Sequence, residues 1–300
     1  MVEEMGIACV EMAGHEASDL VEQARNVDAV LVYSAKMNSS VIGGLKRCRV
    51  LARCGVGFDN IDVTAARRRG IEVTYVPDYG SVDVAEHALA LILACSRRLG
   101  QSDRAIRAGG WPGYADLGTM RRLSGQTLGL VGFGRISRCL AERAAVLGLT
   151  LLAHDPLLSW EKIRDGGAIP ATDRELLERS DIVSMHLPLS ARTTRWLDAQ
   201  RLSYMKPTAI IINTSRGAVV DEEALCSALS AGRLAGAGLD VQLKEPPTTT
   251  NPLTSLDNVI LTPHSAAFTE EALADVRKTA IKDVLAVLNG EAPRHPVPNV

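Results

Sequence analysis

Short runs of β-branched and aliphatic residues alternate with helix-type patterns along most of this chain, and this alternation constrains the fold strongly. It predicts parallel strands with covering helices, because a helix between two strands returns the chain to the start of the sheet, so that the next strand runs in the same direction. The predicted strands cover residues 7–10, 29–33, 50–53, 72–76, 127–131, 150–154, 182–187, 209–213, 236–240 and 259–261. The predicted helices cover 82–108, 138–147, 174–180, 222–231 and 269–288, with Asp173 and Asp221 as expected N-caps.

The strands fall into two sets, separated by the long helical stretch 82–108 and the glycine-rich break 109–113. A chain of 300 residues also exceeds the size at which one hydrophobic core usually keeps growing. We therefore predict an α/β protein with two Rossmann- or flavodoxin-like domains built on parallel sheets. The outer domain is expected to be discontinuous, with residues 1–98 plus 268–300, and the second domain to cover residues 99–267.

Composition argues against several classes of partner. Lys and Arg total 33 and Asp and Glu total 35, so the formal net charge is −2 and no global basic field favours nucleic acid or an anionic membrane. Only 4% of residues are aromatic, which argues against a base-stacking surface, and the longest apolar stretch, 88–95, is too short to span a bilayer. The six cysteines form no CxxC pair and no zinc-type spacing, which favours reduced thiols in a cytoplasmic protein without a metal.

The predicted strand 127–131 runs directly into a Gly-x-Gly-x-x-Ser turn and then a helix. Gly132 permits the tight turn, and Gly134 lets the backbone approach a pyrophosphate that sits on the N-terminal amides of the helix. The next predicted strand ends at Asp155, where a carboxylate suits the adenosine ribose of NAD and repels the 2′-phosphate of NADP. The pattern predicts NAD binding. A tight turn without a ligand is the alternative, since Ser137 stands where a third glycine is usual.

Three further segments place an ionisable side chain just beyond a predicted strand, at the edge where open α/β sheets bind ligands. They carry Arg216, Glu245 and His264. Each alone is more often structural: a surface ion pair, a solvated loop acid, a satisfied histidine. Together they supply what carbonyl reduction needs: a guanidinium for a carboxylate and a carbonyl oxygen, an imidazole for the proton, and a carboxylate that orients the imidazole.

Seven segments in order make the chain resemble the D-isomer-specific 2-hydroxyacid dehydrogenase family over nearly its whole length. The matching segments are residues 53–62, 84–91, 132–136, 181–188, 213–217, 239–241 and 262–264. The chain is similar to phosphoglycerate-dehydrogenase-like members, and residues 76–80 resemble the C-terminal-binding-protein-like subgroup. The family implies an NAD-dependent homodimeric enzyme that interconverts a 2-oxo acid and a D-2-hydroxy acid.

The resemblance also implies roles for individual residues. Arg216 is expected to polarise the carbonyl, and the His264–Glu245 pair to act as acid and base. The expected substrate-binding residues, which meet the carboxylate end, are Arg53, Gly55 and Val56. The expected cofactor-binding residues are Gly132, Gly134, Arg135, Ile136, Asp155, His186, Pro188, Thr214, Ser215, Asp240, Ala266 and Ala267.

Two other functions stay open at this level. One is a redox-inert NAD(H)-binding module, a sensor or corepressor, because corepressors of this family keep the same three polar residues. The other is a family enzyme acting on a different donor, such as phosphite or formate. A phosphorylated substrate needs extra cations, for which Lys36, Arg121 and Arg122 are candidates, although such residues are more often solvated surface charges. Residues 242–244 replace a stretch that is commonly aromatic and acidic in the family, so the mouth of the cleft is expected to differ.

Chains of the family usually begin with a strand and a helix before the segment that matches residues 1–10, so the outer sheet is expected to lack its usual first strand. In a flavodoxin-like sheet that strand is central, and without it several backbone groups of its neighbours would lie unpaired. We expect one of two arrangements. Either the native chain starts further upstream, or residues 7–10 take the central position of a four-stranded outer sheet.

Overall fold

The computed structural model describes residues 8–10, 12 and 17–298, and within them no helix is both long and apolar enough to cross a membrane. The helices are α1 (Ala17–Ala24), α2 (Ser39–Gly44), α3 (Val63–Arg68), α4 (Ser81–Ser96), α5 (Leu99–Arg107), α6 (Tyr114–Leu117), α7 (Arg135–Val146), α8 (Trp160–Asp165), α9 (Asp173–Arg179), α10 (Ala199–Ser203), α11 (Glu222–Ser230) and α12 (Glu270–Leu288). The strands are β1 (Ala29–Val32), β2 (Val50–Arg53), β3 (Glu72–Thr74), β4 (Thr127–Val131), β5 (Thr150–His154), β6 (Ile169–Pro170), β7 (Ile182–Met185), β8 (Ile210–Asn213), β9 (Gly236–Leu239) and β10 (Val259–Leu261). The chain divides into a larger unit, Gly80–Thr269, and an outer unit formed by the segments on either side of it.

The larger unit is built on a seven-stranded parallel sheet in the order β10-β9-β8-β7-β4-β5-β6. The chain runs from β4 outward to β6 and then crosses back to β7 on the other side of β4. The direction of winding therefore reverses between β4 and β7. At such a reversal the loops beyond the carboxyl ends diverge and leave a crevice where open α/β sheets bind ligands. The predicted α/β class with parallel sheets is confirmed.

Both faces of this sheet are covered, as its strand sequences require. β7 and β9 are buried along their whole length, unlike the alternating strands of a half-exposed sheet. Leu128 and Leu130 of β4 pack in one apolar cluster, and the last residue of β4, Val131, packs in another. Gly238 in β9 shows how closely the helix layer approaches, because a Cβ there would lie 3.0 Å from Cβ of Leu91 in α4.

The outer unit contains a three-stranded parallel sheet, β1-β2-β3, among its described residues. The helix α12 packs against β2. The C-terminal segment covers the edge of β3, where Thr74 bridges Pro296 in antiparallel fashion and the N–H of Val297 donates to the carbonyl of Val73 (2.8 Å). Pro296 and Val297 thus extend the sheet that β1, β2 and β3 form.

The predicted strands agree with the structure from residue 29 onward, with ends that differ by at most two residues, and the short β6 is additional. The first predicted strand begins at residue 7, which lies outside the described residues, and residues 8–10 form no strand. The described part of the outer sheet therefore has three strands, and the four-stranded arrangement is not seen in it. Periodicity over four residues is too short a signal to distinguish a strand from an extended loop.

The long helix predicted over residues 82–108 is two helices, α4 and α5. Between them Arg98 has a backbone φ of 54°, in the left-handed region that interrupts a helix. Its guanidinium donates to the carbonyl of Ala235 (2.7 Å), which fixes the break at the start of β9. The N-cap of α9 is Thr172 rather than Asp173, because the Thr172 hydroxyl forms a capping box with the third residue of the helix. The predicted cap Asp221 is confirmed.

The division between the units lies earlier than the predicted boundary at residues 98/99. The helix α4 packs against α7, β8 and β9, so it belongs to the larger unit and the chain divides between Tyr79 and Gly80. The second crossing lies between Thr269 and Glu270, close to the predicted 267/268. An apolar stripe shows that a helix is buried but does not show which sheet covers it.

Candidate functional site

The glycine-rich turn after β4 has the backbone that its sequence predicts. Gly132 has a φ of 85°, and a Cβ there would lie 2.8 Å from the carbonyl oxygen of His186, so a side chain does not fit. Gly134 leads into α7 in extended conformation, and a Cβ built on it would meet no atom within 4 Å. No side chain caps the start of α7, and its first turn holds no acidic residue. Its N-terminal amides are therefore suited to a pyrophosphate.

Asp155 follows the end of β5, beside this turn. Its Oδ2 accepts a hydrogen bond from the N–H of Phe133 (2.9 Å), and its Oδ1 accepts one from the N–H of Leu157 (2.9 Å). Two amides thus hold the carboxylate at the turn, and each oxygen keeps a further lone pair. This arrangement fits the hydroxyls of an adenosine ribose, which would donate to those lone pairs.

Other expected cofactor residues lie around the same edge of the sheet. Arg135 is exposed and Ile136 is half-buried in the first turn of α7, and Pro188 is exposed in the loop after β7. His186, directly after β7, bonds through Nε2 to the hydroxyl of Ser184 (2.9 Å). Burial lowers the pKa of His186 to about 4, so its ring is neutral near pH 7.

Thr214, just beyond β8, has a buried hydroxyl without a hydrogen-bond partner. Such a group costs about 1–3 kcal/mol unless something bonds to it. Its neighbour Ser215 differs, because its hydroxyl and its N–H both donate to the side-chain oxygen of Asn213 (2.8 and 3.0 Å). An uncapped helix start, a carboxylate fixed beside the turn and an unpartnered hydroxyl therefore all fit NAD at this edge.

His264 and Glu245 meet just outside the sheet. The Nδ1 atom of His264 lies 2.7 Å from Oε2 of Glu245, and the side chains are 46% and 38% exposed. Burial raises the pKa of Glu245, but the hydrogen bond and charge of His264, the N–H of Gln242 and the charge of Arg216 outweigh it, so this pKa is lowered overall. An ionised Glu245 orients the imidazole through Nδ1 and leaves Nε2 to exchange a proton with a substrate.

Arg216 is brought to this pair by the close approach of two backbone segments. A Cβ on Gly217 would lie 2.0 Å from the carbonyl carbon of Gln242, so only glycine lets the segments that carry Arg216 and Glu245 meet. Asn213 fixes the backbone at this point, because its Nδ2 donates to the carbonyl of Arg216 (2.9 Å). Asn213 was not among the predicted site residues, and the signal that could have found it is a side-chain amide at the end of a fully apolar strand.

Asp240, just beyond β9, holds the loop that carries His264. Its carbonyl accepts from the N–H of His264 (2.8 Å), its Oδ1 from the N–H of Ser265 (2.9 Å) and its Oδ2 from the N–H of Ala266 (3.0 Å). His264 has a φ of 54°, which is unusual for a residue other than glycine. Asp240 and Ala266, both expected to bind cofactor, therefore bond to each other, and Ala267 follows them, half-buried.

The expected substrate-binding residues form a group of their own in the outer unit, at the carboxyl end of β2. The guanidinium of Arg53 turns back onto its own loop, where Nε donates to the carbonyl of Gly57 (2.7 Å) and Nη1 to that of Cys54. Gly55 has a φ of 156°, and Val56 is exposed. Arg53 thus holds the loop in shape.

Candidate sites for a phosphate group and for a metal have little support among the described residues. The three candidate cations for a phosphorylated substrate, Lys36, Arg121 and Arg122, are exposed. Within residues 8–10, 12 and 17–298, no group of three or more His, Cys, Asp and Glu side chains could hold a metal ion.

Comparison with known proteins identifies the family of this chain. A family model for the NAD-binding domain of the D-isomer specific 2-hydroxyacid dehydrogenases matches residues 89–266. The chain is 40% identical over 296 residues to a glyoxylate reductase from Thermofilum pendens, an alignment that covers 95% of this chain and 87% of that one. It is 36% identical over 293 residues to a D-3-phosphoglycerate dehydrogenase from Archaeoglobus fulgidus, which covers 97% of this chain and 55% of that one. The chain thus spans about half the length of the phosphoglycerate dehydrogenases that it matches.

Solved structures show the same similarity over the whole chain. The TT0316 protein from Thermus thermophilus superposes with a TM-score of 0.88 and 34% identity, covering 99% of this chain and 95% of that one. A D-lactate dehydrogenase from Aquifex aeolicus, complexed with NAD and lactic acid, superposes with a TM-score of 0.85 and 29% identity, covering 93% and 89%. The similarity to these solved structures therefore extends over both units.

Proposed function

The chain belongs to the D-isomer specific 2-hydroxyacid dehydrogenase family, and we propose that it reduces a 2-oxo acid to a D-2-hydroxy acid with NADH, and catalyses the reverse oxidation with NAD. The observation that carries the proposal is the 2.7 Å His264–Glu245 pair beside Arg216, at the ligand-binding edge of an NAD-binding domain. A guanidinium, an imidazole and an ionised carboxylate are the groups that this reaction requires.

NADH, when bound, would supply the hydride for the reduction, and NAD would accept it in the oxidation. Arg216 binds the carboxylate of the substrate and polarises its carbonyl oxygen through charge-assisted hydrogen bonds. His264 gives its Nε2 proton to the oxygen that becomes the hydroxyl, and takes that proton back during oxidation. Glu245, ionised because of its lowered pKa, keeps the ring oriented and stabilises its protonated form. Arg53, Gly55 and Val56 contribute the shape of the substrate loop.

NAD is the preferred cofactor in this proposal. The carboxylate of Asp155 is fixed beside the glycine-rich turn by two backbone amides, where it accepts from ribose hydroxyls and repels a 2′-phosphate. The residues that follow Asp155, from 156 to 159, contain no arginine that could neutralise such a phosphate. The turn at Gly132, the start of α7 and the Thr214 hydroxyl complete the cofactor-binding edge.

The test is NADH oxidation by the purified chain with a panel of 2-oxo acids, from glyoxylate to larger and phosphorylated ones. We expect turnover of at least one acid, and a loss of about 10²–10⁴ in kcat for His264→Ala, the range that general acid–base groups supply. His295→Ala is the control, since His295 also bonds through Nδ1 to a carboxylate but lies in the outer unit. Tight NADH binding without turnover of any acid would instead favour the redox-inert module.

We also propose a cytoplasmic homodimer. All six cysteines are free thiols, which suits a reducing compartment. Large apolar side chains are exposed within one short stretch of the larger unit, at Leu99, Ile106, Trp111 and Tyr114, and Trp111 is 90% exposed. Such a concentration of apolar surface is typical of a protein interface.

Light scattering of the purified chain tests the assembly. We expect a dimer that Trp111→Asp converts to a monomer. The matched control is Val146→Asp, because Val146 is 87% exposed at the end of α7, outside this stretch, and its substitution should leave the dimer intact. A wild-type chain that scatters as a monomer at micromolar concentration would refute the dimer.

A further inference from the structure

A histidine far from His264 in the sequence belongs to the network that holds the His264 loop. His87, on α4, places its Nε2 3.0 Å from the hydroxyl oxygen of Thr262 and 3.5 Å from Oδ1 of Asp240. The Thr262 hydroxyl in turn lies 2.6 Å from the same Oδ1. Asp240 is only 1% exposed, and its carboxylate also accepts the amides of Ser265 and Ala266.

The distances assign the protons in this network. A threonine hydroxyl has one proton, and the 2.6 Å contact with a carboxylate, which cannot donate, directs that proton toward Asp240. The Thr262 oxygen is then an acceptor for its other neighbour, so Nε2 of His87 must carry a proton. His87 therefore donates to the Thr262 hydroxyl, and that hydroxyl donates to the buried carboxylate of Asp240.

This chain of donors acts on His264 through the backbone. Asp240 binds three successive amides, those of residues 264, 265 and 266, and the first belongs to His264 with its left-handed φ of 54°. A residue in that conformation stays there only when its surroundings fix it. We propose that His87 is a positioning residue for the acid–base pair: by donating to Thr262 it fixes Asp240, and thereby aims the His264 ring at Glu245. The expected effect on catalysis rests on the proposed function, whereas the positioning of the His264 ring does not.

The outer unit offers a matched control for this inference. His295 bonds through Nδ1 to Asp283 (3.0 Å), whose carboxylate is 2% exposed and also accepts the amide of Arg294 (2.9 Å). Both His87 and His295 are partly buried histidines bound to a buried aspartate network that holds a loop, with side chains 23% and 31% exposed. Only the network of His87 ends on the residue proposed as the catalytic acid.

The experiment compares His87→Leu, which removes the donor, with His87→Gln, which keeps an amide donor at similar reach. Thr262→Val and Thr262→Ser form a second pair at the next link. The readout that does not depend on activity is the ring nitrogen resonance of His264 in cofactor-free protein labelled with nitrogen-15 histidine, assigned by its loss in His264→Asn. Kinetics with NADH and the best 2-oxo acid, and melting temperature, are measured on the same proteins.

We expect His87→Leu and Thr262→Val to shift the His264 resonance and to lower kcat by about 10–100-fold, the effect typical of removing a residue that orients a functional side chain. His87→Gln and Thr262→Ser should restore the resonance and most of kcat. His295→Leu should lower the melting temperature without changing either readout. The inference is overturned if His264 keeps its resonance in folded His87→Leu and Thr262→Val, or if the Leu and Gln variants behave alike. A wild-type chain without turnover would refute the proposed function, and the resonances would still decide the positioning role.

Discussion

Two arginines stand at the carboxyl ends of parallel strands in this protein, and the structure uses them differently. Arg53 ends β2 in the outer unit and donates to the carbonyls of Gly57 and Cys54 in its own loop. Arg216 follows β8 in the larger unit, bonds to the carbonyl of Ser215 (2.8 Å), and its charge also acts on Glu245. One guanidinium shapes a loop, whereas the other adds charge to the proposed acid–base pair.

The comparison shows that residue type and strand-end position do not by themselves identify a catalytic group. What separates the two arginines is the chain around them. The glycine at 217 lets the Arg216 segment touch the segment that leads to Glu245, whereas the loop after Arg53 folds back over its guanidinium. We therefore expect substitution of Arg216 to lower activity and substitution of Arg53 to lower stability.

The largest expected effect is on catalysis, at Arg216. Arg216→Leu should lower kcat/KM for the 2-oxo acid by about 10²–10³, because the developing charge on the carbonyl oxygen loses its cationic partner. The urea-induced unfolding midpoint should stay near that of the wild type, since Arg216 is half-buried and Asn213 still holds the backbone. If Arg216→Leu unfolds at a much lower urea concentration and keeps its kcat, Arg216 stabilises its loop as Arg53 does and does not act in the reaction.

A second contrast lies between two histidines of the larger unit, the exposed His264 and the half-buried His186. Burial lowers the pKa of His186 to about 4, so between pH 6.5 and 4 the unfolded chain binds a proton that the folded chain does not. Stability should therefore fall as the pH falls through this window, by at most about 3 kcal/mol from this group. His186→Gln should reduce that loss in urea titrations at a series of pH values. A difference between variant and wild type that does not change with pH would contradict this.

The next effect is on stability, at Arg53. Arg53→Leu should lower the free energy of unfolding by about 1–3 kcal/mol, because the loop carbonyls lose a charged donor. Because the loop would lose these bonds and become disordered, we expect the KM for the 2-oxo acid to rise. We expect kcat to change less than in Arg216→Leu. Urea titration and steady-state kinetics on the two variants measure this directly. Equal losses of kcat in both would show that Arg53 also acts on the reacting atoms.

The smallest effect concerns Ser137, which stands at the third position of the glycine-rich turn. Its hydroxyl is fully buried and has no hydrogen-bond partner, so Ser137→Ala should raise the free energy of unfolding by about 1 kcal/mol. Ser180→Ala is the control, because the buried Ser180 hydroxyl donates to the carbonyl of Leu176 (2.6 Å) and its loss should destabilise the chain. If the two alanine variants lose stability equally, the Ser137 hydroxyl has a partner after all.

Much of the larger unit was predictable from the sequence because its signals are local. The strand 127–131, the glycine turn and the acid at 155 lie close together in the chain, and the structure places them at one edge of the sheet. The alternation of strands and helices likewise predicted parallel sheets. Short helices such as α2, α3 and α8 were not predicted, because one or two turns give too little periodicity.

What the sequence did not predict depends on contacts between distant residues. The left-handed break at Arg98 is fixed by the carbonyl of Ala235, and the inward turn of Arg53 by its own loop. The link from His87 to the His264 loop joins positions separated by most of the larger unit. Such contacts follow from packing, which residue type and spacing do not encode.

The most direct test of the proposed reaction is chiral analysis of the product formed from NADH and the best 2-oxo acid larger than glyoxylate, because the reduction product of glyoxylate has no stereocentre. We predict one D-2-hydroxy acid for each NADH consumed, with product formation falling by orders of magnitude in Arg216→Leu and His264→Ala and unchanged in His295→Ala. An L-2-hydroxy acid, or NADH that binds without being consumed while all variants stay folded, would contradict the assignment of this reaction to Arg216, Glu245 and His264.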